Sequence, residues 1–166
     1  MYTLVIVEDE YIIRKGLVHT IDWFELDFKV IGEAEDGVEG LKLIEELKPD
    51  LVITDIRMPR KNGLEMIAES KKLVDFESII LTSYSHFDYA KEAITLGVSS
   101  YVLKPIDEKE LLEIVRGIKS KIKDRKVVQN IKSHSNIEGE LDFTNLKVYI
   151  DNDSTNTYVK HALEKI

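Results

Sequence analysis

Short apolar runs alternate with amphipathic helical segments five times along this chain. The apolar runs predict strands near residues 3–7, 28–34, 51–54, 78–82 and 100–103. In the segments between them, apolar residues recur at the three- and four-residue spacing of a helix that packs on one face. Parallel strands need a crossover connection, which is usually a helix. The pattern therefore predicts an α/β protein whose parallel sheet is covered by helices on both faces.

The sequence also carries signals for where the helices begin and end. Three predicted helices start with a side-chain cap that is followed three residues later by an acid, namely Asp36 with Glu39, Ser85 with Asp88, and Asp107 with Glu110. Gly97 is predicted to stop the fourth helix. The apolar stripe of the fifth helix continues through Ile118 and Ile122. We therefore expect this helix to extend past the compact domain.

The composition is that of a globular domain with a tail. The chain has 166 residues, of which 43% are hydrophobic and 33% charged, enough for one sizeable core. It has no apolar run long enough for a membrane span and no signal peptide, so we expect a cytoplasmic protein that does not bind membranes. The absence of cysteine excludes disulfides and thiolate metal sites, and a net charge of -8 argues against a broad basic face for nucleic acid.

Polar side chains follow or close four of the predicted strands. Glu8 and Asp9 come after the first, Asp55 after the third, Thr82 closes the fourth and Lys104 follows the fifth. Ligands of an open parallel sheet bind at the carboxyl ends of its strands, so we expect these residues to share one site. Clustered carboxylates repel unless a cation lies among them, and oxygen ligands favour Mg²⁺. Such a site could hold a phosphoryl group on a carboxylate.

Each of these residues also has an ordinary structural interpretation. An aspartate such as Asp55 at a strand end is often a turn former, and Glu8-Asp9 could cap the first helix. Thr82 could belong to a turn, and Lys104 could be a solvated surface lysine. The agreement among four strand ends favours the shared site.

The motifs together resemble the receiver domain of two-component response regulators. They are Val7-Glu8-Asp9-Glu10, Asp55-Ile56-Arg57-Met58-Pro59 with Asn62-Gly63, Thr82 after a β-rich run, and Tyr101-Val102-Leu103-Lys104-Pro105. The resemblance covers about residues 1–122. It implies a (βα)₅ flavodoxin-like, CheY-like fold, with a doubly wound parallel sheet in the order 2-1-3-4-5.

The resemblance implies a phosphoacceptor and a metal site. Asp55 would accept a phosphoryl group from a phosphohistidine of a sensor histidine kinase. Asp9, Asp55 and the backbone carbonyl of Arg57 would hold Mg²⁺. The family usually has two aspartates where this chain has Glu8-Asp9, and we expect Glu8 to act on the metal mainly through water.

The resemblance also implies a switch. Lys104 would pair with the phosphoryl oxygens, and Thr82 would move to hydrogen-bond one of them. Tyr101 would then turn inward and change the face formed by the fourth helix, fifth strand and fifth helix, through which two copies could form a homodimer. The Lys104-Pro105 bond is expected to be cis.

The end of the chain resembles regulators that carry an AraC-type helix-turn-helix output domain. The resembling segments are Phe87-Asp88-Tyr89-Ala90, the extended fifth helix and residues 158–166. We therefore expect a receiver domain at 1–122, a linker at 123–157, and the truncated start of a DNA-binding domain at 158–166. DNA binding would belong to the missing part of that domain.

Two other classes of function are alternatives to the phosphorylation switch. A receiver-like interaction module would use none of the charged residues for phosphoryl chemistry. A phosphatase with an aspartyl-phosphate intermediate would need a second aspartate two residues after the nucleophile, and that position is Arg57. We therefore expect no turnover of external substrates, only phosphorylation and dephosphorylation of the chain itself.

Overall fold

The five predicted strands and five helices are present in a computed structural model of the chain. The structure describes residues 1–83 and 87–135, with side chains for 1–83 and 88–129. The strands are β1 (Tyr2–Val7), β2 (Phe28–Ala34), β3 (Leu51–Asp55), β4 (Glu77–Thr82) and β5 (Ser100–Leu103). The helices are α1 (Tyr11–His19), α2 (Gly37–Leu47), α3 (Gly63–Ser70), α4 (Phe87–Thr95) and α5 (Glu108–Ser135).

The strands form one parallel sheet in the order β2-β1-β3-β4-β5. This confirms the predicted flavodoxin-like topology. The strand order reverses at β1, which lies between β2 and β3. Val7 at the end of β1 is in register with Thr54 of β3. The next residue of each strand is Glu8 or Asp55, so both acids emerge at the switch point where such sheets bind ligands.

Side chains of each strand alternate between two apolar clusters, one on each face of the sheet. Leu4 and Ile6 of β1 face the cluster that includes α1 and α5, whereas Val5 and Val7 face the cluster that includes α2 and α3. Strands buried on both faces are continuous apolar runs, which is why the sequence predicted them to within one residue. The predicted α5 stripe is buried, and it comprises Leu111, Val115, Ile118 and Ile122.

The apolar spacing of α4 does not by itself identify which of its residues are buried. Ile94 of α4 is 78% exposed, whereas its neighbour Ala93 is buried. Adjacent helical residues point about 100° apart, so the helix can bury only one of the two, and Ala93 lies one turn after Tyr89 on the buried face.

Most predicted helix ends are confirmed. The Asp36 carboxylate accepts hydrogen bonds from the amides of Val38 and Glu39, and Asp107 caps α5 in the same way. Gly97 has a φ of +63° and closes α4 with the paired hydrogen bonds of a Schellman motif. The capping box of α3, formed by Asn62 and Glu65, was not predicted. Ser85 lies outside the described residues.

The first of the chain's two compact units spans Met1–Asp124. Helix α5 continues to Ser135, so the predicted linker is helical where it is described. The remainder of that linker and the predicted start of a DNA-binding domain at 158–166 lie outside the described residues. Among the helices that are described, none combines the length and apolar character needed to cross a membrane.

Candidate functional site

The sheet brings the predicted site residues together at one edge. Glu8 follows β1, Asp55 and Thr82 are the last residues of β3 and β4, and Lys104 follows β5. The backbone amide of Lys104 donates to the Thr82 carbonyl at 2.8 Å. One carboxylate oxygen from each of Glu8, Asp9 and Asp55 lies within 4.8 Å of the other two. Glu8, Asp55 and Thr82 are buried, while Asp9 is exposed.

Lys104 supplies a cation inside this acidic cluster. Its Nζ donates a hydrogen bond to Glu8 Oε1 at 2.9 Å and lies 3.5 Å from Asp55 Oδ2 and 3.6 Å from Glu10 Oε1. The side chain of Lys104 is largely buried. It is therefore a fixed charge at the phosphoacceptor candidate and not the solvated lysine of the alternative interpretation. The Lys104-Pro105 bond is cis, as expected.

The two buried acids resist ionisation. Burial raises the pKa of Glu8 to about 7, and the Asp55 charge adds to this effect while Lys104 opposes it. Burial also raises the pKa of Asp55, assisted by the charge of Asp9 and opposed by Lys104 and the backbone amide of Ile56. At a given pH both acids therefore carry less negative charge than exposed carboxylates would.

Lys104, by contrast with the two acids, is held in its charged form. Burial alone would lower the pKa of its ammonium group, but the hydrogen bond to Glu8 and the charges of Glu8, Asp55 and Glu10 outweigh burial and raise it. The lysine is therefore charged at neutral pH.

The acidic residues fit a hard divalent cation. Glu8 Oε2 lies 2.9 Å from the Lys104 ammonium but has no hydrogen-bond partner among the described residues, although it is buried. Buried polar atoms are normally satisfied, so this oxygen has capacity for a further ligand. Carboxylates with one exposed member suit Mg²⁺, which keeps several waters. Glu8 is not a cap of α1, because that helix begins after Glu10 without a side-chain capping bond.

The loop after Asp55 is held close to the strand. The amide of Gly63 donates to the Ile56 carbonyl at 2.8 Å, and the Thr54 hydroxyl donates to the Asp55 carbonyl at 2.9 Å. Arg57 is exposed, and its guanidinium lies 5.9 Å from the ring centroid of Tyr89 on α4. Arg57 thus joins the loop to α4 by a cation-π contact.

Tyr101, the predicted switch residue, is half-buried. It packs against the apolar cluster that includes Ile80 of β4, as does Tyr89 of α4. Its predicted rotation on activation stays a prediction, as do the roles of the site residues.

Sequence reasoning missed two arginines near the site. Arg14 is buried, and its Nη1 donates to the Glu8 carbonyl at 2.5 Å. It lies three residues before Leu17 and therefore on the core face of α1, which is the signal that could have identified it. Arg60 pairs with Asp36, which the sequence had identified only as a helix cap. No local pattern indicates that pair.

Comparison with known proteins identifies the family. Residues 4–116 match the response regulator receiver domain family. An uncharacterized response regulatory protein of Staphylococcus epidermidis is 40% identical over 166 residues, covering all of this chain and 63% of that protein. The transcriptional regulatory protein HptR of Staphylococcus aureus is 48% identical over 117 residues, covering 70% of this chain and 46% of HptR. The chain is thus shorter than the curated relatives it matches.

A solved structure agrees with this assignment. A two component transcriptional regulator AraC from Clostridium phytofermentans has a TM-score of 0.70 and 32% identity to this chain, covering 76% of this chain and 98% of that one. This chain therefore belongs to the response regulator receiver domain family, as the match over residues 4–116, the parallel sheet order and the acidic edge all indicate.

Proposed function

We propose that Asp55 accepts a phosphoryl group from a phosphohistidine of a sensor histidine kinase. The observation that carries this proposal is the Asp55 carboxylate itself, buried within an acidic cluster and 3.5 Å from a lysine ammonium. Ligands of an open parallel sheet bind at the carboxyl ends of its strands, where Asp55 lies, and the surrounding charges suit phosphoryl oxygens.

In the proposed reaction, an Asp55 carboxylate oxygen attacks the phosphorus atom. A P–O bond forms, the P–N bond of the donor breaks, and the departing histidine nitrogen keeps the bonding electrons. Asp9, Asp55 and the backbone carbonyl of Arg57 would hold Mg²⁺, with Glu8 acting mainly through water. When bound, Mg²⁺ would neutralise charge on the phosphoryl and carboxylate oxygens.

The other site residues would respond to the new phosphoryl group. Lys104 would exchange part of its contact with Glu8 for a phosphoryl oxygen, and the Thr82 hydroxyl would donate to another. Moving a population from 1:99 to 99:1 needs about 5.5 kcal/mol, and charge-assisted hydrogen bonds contribute about 1.5–3 kcal/mol each. About two to four such bonds would suffice to favour an active state in which Tyr101 turns inward.

The parent protein would be a transcriptional regulator with an AraC-type DNA-binding domain. This proposal is supported by the sequence resemblance of the tail and by the names of two similar proteins, a transcriptional regulatory protein and a transcriptional regulator AraC. The domain bounds would be 1–122 for the receiver, 123–157 for the linker, and a DNA-binding domain starting at 158. The chain would turn over no external substrate, and DNA would be a partner of the output domain alone.

Intact-mass measurement after incubation with a small phosphodonor and Mg²⁺ tests the proposal. The wild-type chain is expected to gain the mass of one phosphoryl group, and Asp55→Asn is expected to gain none. Asp22→Asn is the matched control, because Asp22 is exposed and its hydrogen bond from the Glu25 amide survives in asparagine. A wild-type chain that stays unmodified would favour the interaction module that acts without phosphorylation.

A further inference from the structure

The loop that follows Asp55 has an unusual anchor. Arg60 lies in this loop and has a φ of +66°, a backbone conformation that non-glycine residues rarely adopt. The amide of Lys61 donates to the carbonyl of Pro59 at 2.7 Å, so Arg60 is the centre of a three-residue γ-turn. Such a turn with positive φ is strained, and strain persists only where surrounding contacts compensate for it.

The compensating contact is an ion pair with Asp36 at the start of α2. The Asp36 side chain is 2% exposed and that of Arg60 is 58% exposed. Asp36 Oδ1 accepts the capping hydrogen bonds of α2 from Val38 and Glu39, and its other oxygen, Oδ2, pairs with Arg60 Nη2. The carboxylate therefore joins α2 to the loop while it caps the helix.

A backbone contact beside the ion pair reinforces the anchor. The amide of Gly37 donates to the Lys61 carbonyl at 3.2 Å, and a Cβ atom on Gly37 would lie 2.3 Å from that oxygen. The second half of the loop is thus fixed against the N-terminus of α2. Arg57, whose carbonyl is the proposed metal ligand, lies in the same loop only three residues before Arg60.

We propose that Asp36 and Arg60 are positioning residues for the phosphorylation site, and that their ion pair sets where the Arg57 carbonyl lies relative to Asp9 and Asp55. This inference rests on the proposed function, because it takes the Arg57 carbonyl as a ligand of Mg²⁺. The ion demands near-ideal octahedral geometry, so a small displacement of one ligand weakens binding. Neither residue touches the reacting atoms.

Mg²⁺ titration followed by amide chemical shifts of the whole chain tests this role. Arg60→Gln and Asp36→Asn are each expected to weaken Mg²⁺ binding about fivefold, equivalent to about 1 kcal/mol for a partly exposed ion pair. The double variant is expected to lose no more than either single variant, since both remove the same contact. Arg60→Lys, which keeps the charge, is expected to recover most of the affinity.

A purely electrostatic effect of the Arg60 charge would change Mg²⁺ affinity in the opposite direction. Removing a positive charge near a cation site strengthens cation binding by electrostatics, so a charge effect would make Arg60→Gln bind Mg²⁺ more tightly. Lys61→Gln is the matched control, because Lys61 is the adjacent cation in this loop but pairs with Glu69 on α3. That control is expected to bind Mg²⁺ as wild type does, or slightly more tightly.

A second readout needs no metal. In the Mg²⁺-free chain, Arg60→Gln is expected to shift the amide resonances of Ile56, Arg57 and Met58, while Lys61→Gln leaves them in place. If wild type binds Mg²⁺ and Arg60→Gln binds it equally well or better, the positioning role is overturned and the proposed function stands. If wild type does not bind Mg²⁺ at all, both proposals fail.

Discussion

Glu8 is the residue at which this site departs most from its family pattern. Its longer side chain reaches the Lys104 ammonium, and it is buried, with one oxygen that accepts no hydrogen bond from any described residue. Burial raises its pKa to about 7. In the metal-free chain Glu8 therefore takes up a proton on folding at pH values where an unfolded glutamate is ionised.

This protonation predicts how stability depends on pH. Between pH 4.5, the ordinary pKa of glutamate, and about 7, the folded chain binds more protons at Glu8 than the unfolded chain does. The contribution of Glu8 to the free energy of unfolding therefore falls as pH rises through this window. Urea unfolding of wild type and Glu8→Gln, with a chelator present, should show wild type losing stability relative to the variant. Parallel pH profiles for the two chains would contradict the assigned environment of Glu8.

At the scale of elements, the start of α3 packs directly against the end of β3. A Cβ atom on Gly63 would lie 2.0 Å from the Asp55 carbonyl oxygen and 3.0 Å from the Thr54 hydroxyl. Only glycine allows this approach, which holds the loop over the phosphoacceptor candidate. Gly16 of α1 is different, because within the described part of the chain a Cβ atom there would meet nothing within 4 Å.

These two glycines give a matched pair of substitutions. Gly63→Ala is expected to destabilise the chain by about 1–3 kcal/mol, since the added methyl group forces the loop away from β3. Gly16→Ala is expected to stabilise it by up to about 1 kcal/mol, because alanine favours a helix interior. Chemical unfolding with equal m-values measures both changes. Equal effects of the two substitutions would show that Gly63 is not a close-contact position.

Features of the fold and the site were predictable from the sequence where residues close together in the chain determine them. The strands were predictable because burial on both faces makes each an apolar run. The rotation of α4 was not, because Ala93 and Ile94 are both apolar and only packing decides which is buried. The ion pair between Asp36 and Arg60 was also hidden, since it depends on a positive φ and on residues distant in sequence.

At the scale of the whole molecule, α4 and β5 present apolar side chains to solvent. Ile94 is 78% exposed and Leu103, at the end of β5, is half-exposed. Ile94 belongs to α4 and Leu103 to β5, two of the three elements of the α4, β5 and α5 face through which we propose that two phosphorylated copies associate. Large apolar side chains that are exposed on the elements of a proposed interface are candidates for burial in it.

Sedimentation with and without a beryllofluoride mimic of the phosphoryl group tests this association. Wild type is expected to shift toward twice its mass when the mimic is bound, and Ile94→Glu is expected to stay monomeric because a buried carboxylate is costly at an interface. Phe24→Glu, another exposed apolar residue in the segment between α1 and β2, serves as the control and should associate as wild type does. Association by Ile94→Glu equal to that of wild type would exclude this face.

The central claim is that Asp55 carries the phosphoryl group. Borohydride reduces an aspartyl phosphate to homoserine, so reduction after treatment with a phosphodonor and Mg²⁺, followed by peptide mass spectrometry, locates the modified residue. The account predicts homoserine at position 55, and none in a sample that received no phosphodonor. Homoserine at another aspartate, or an unmodified Asp55 in a chain that has gained phosphoryl mass, would contradict it.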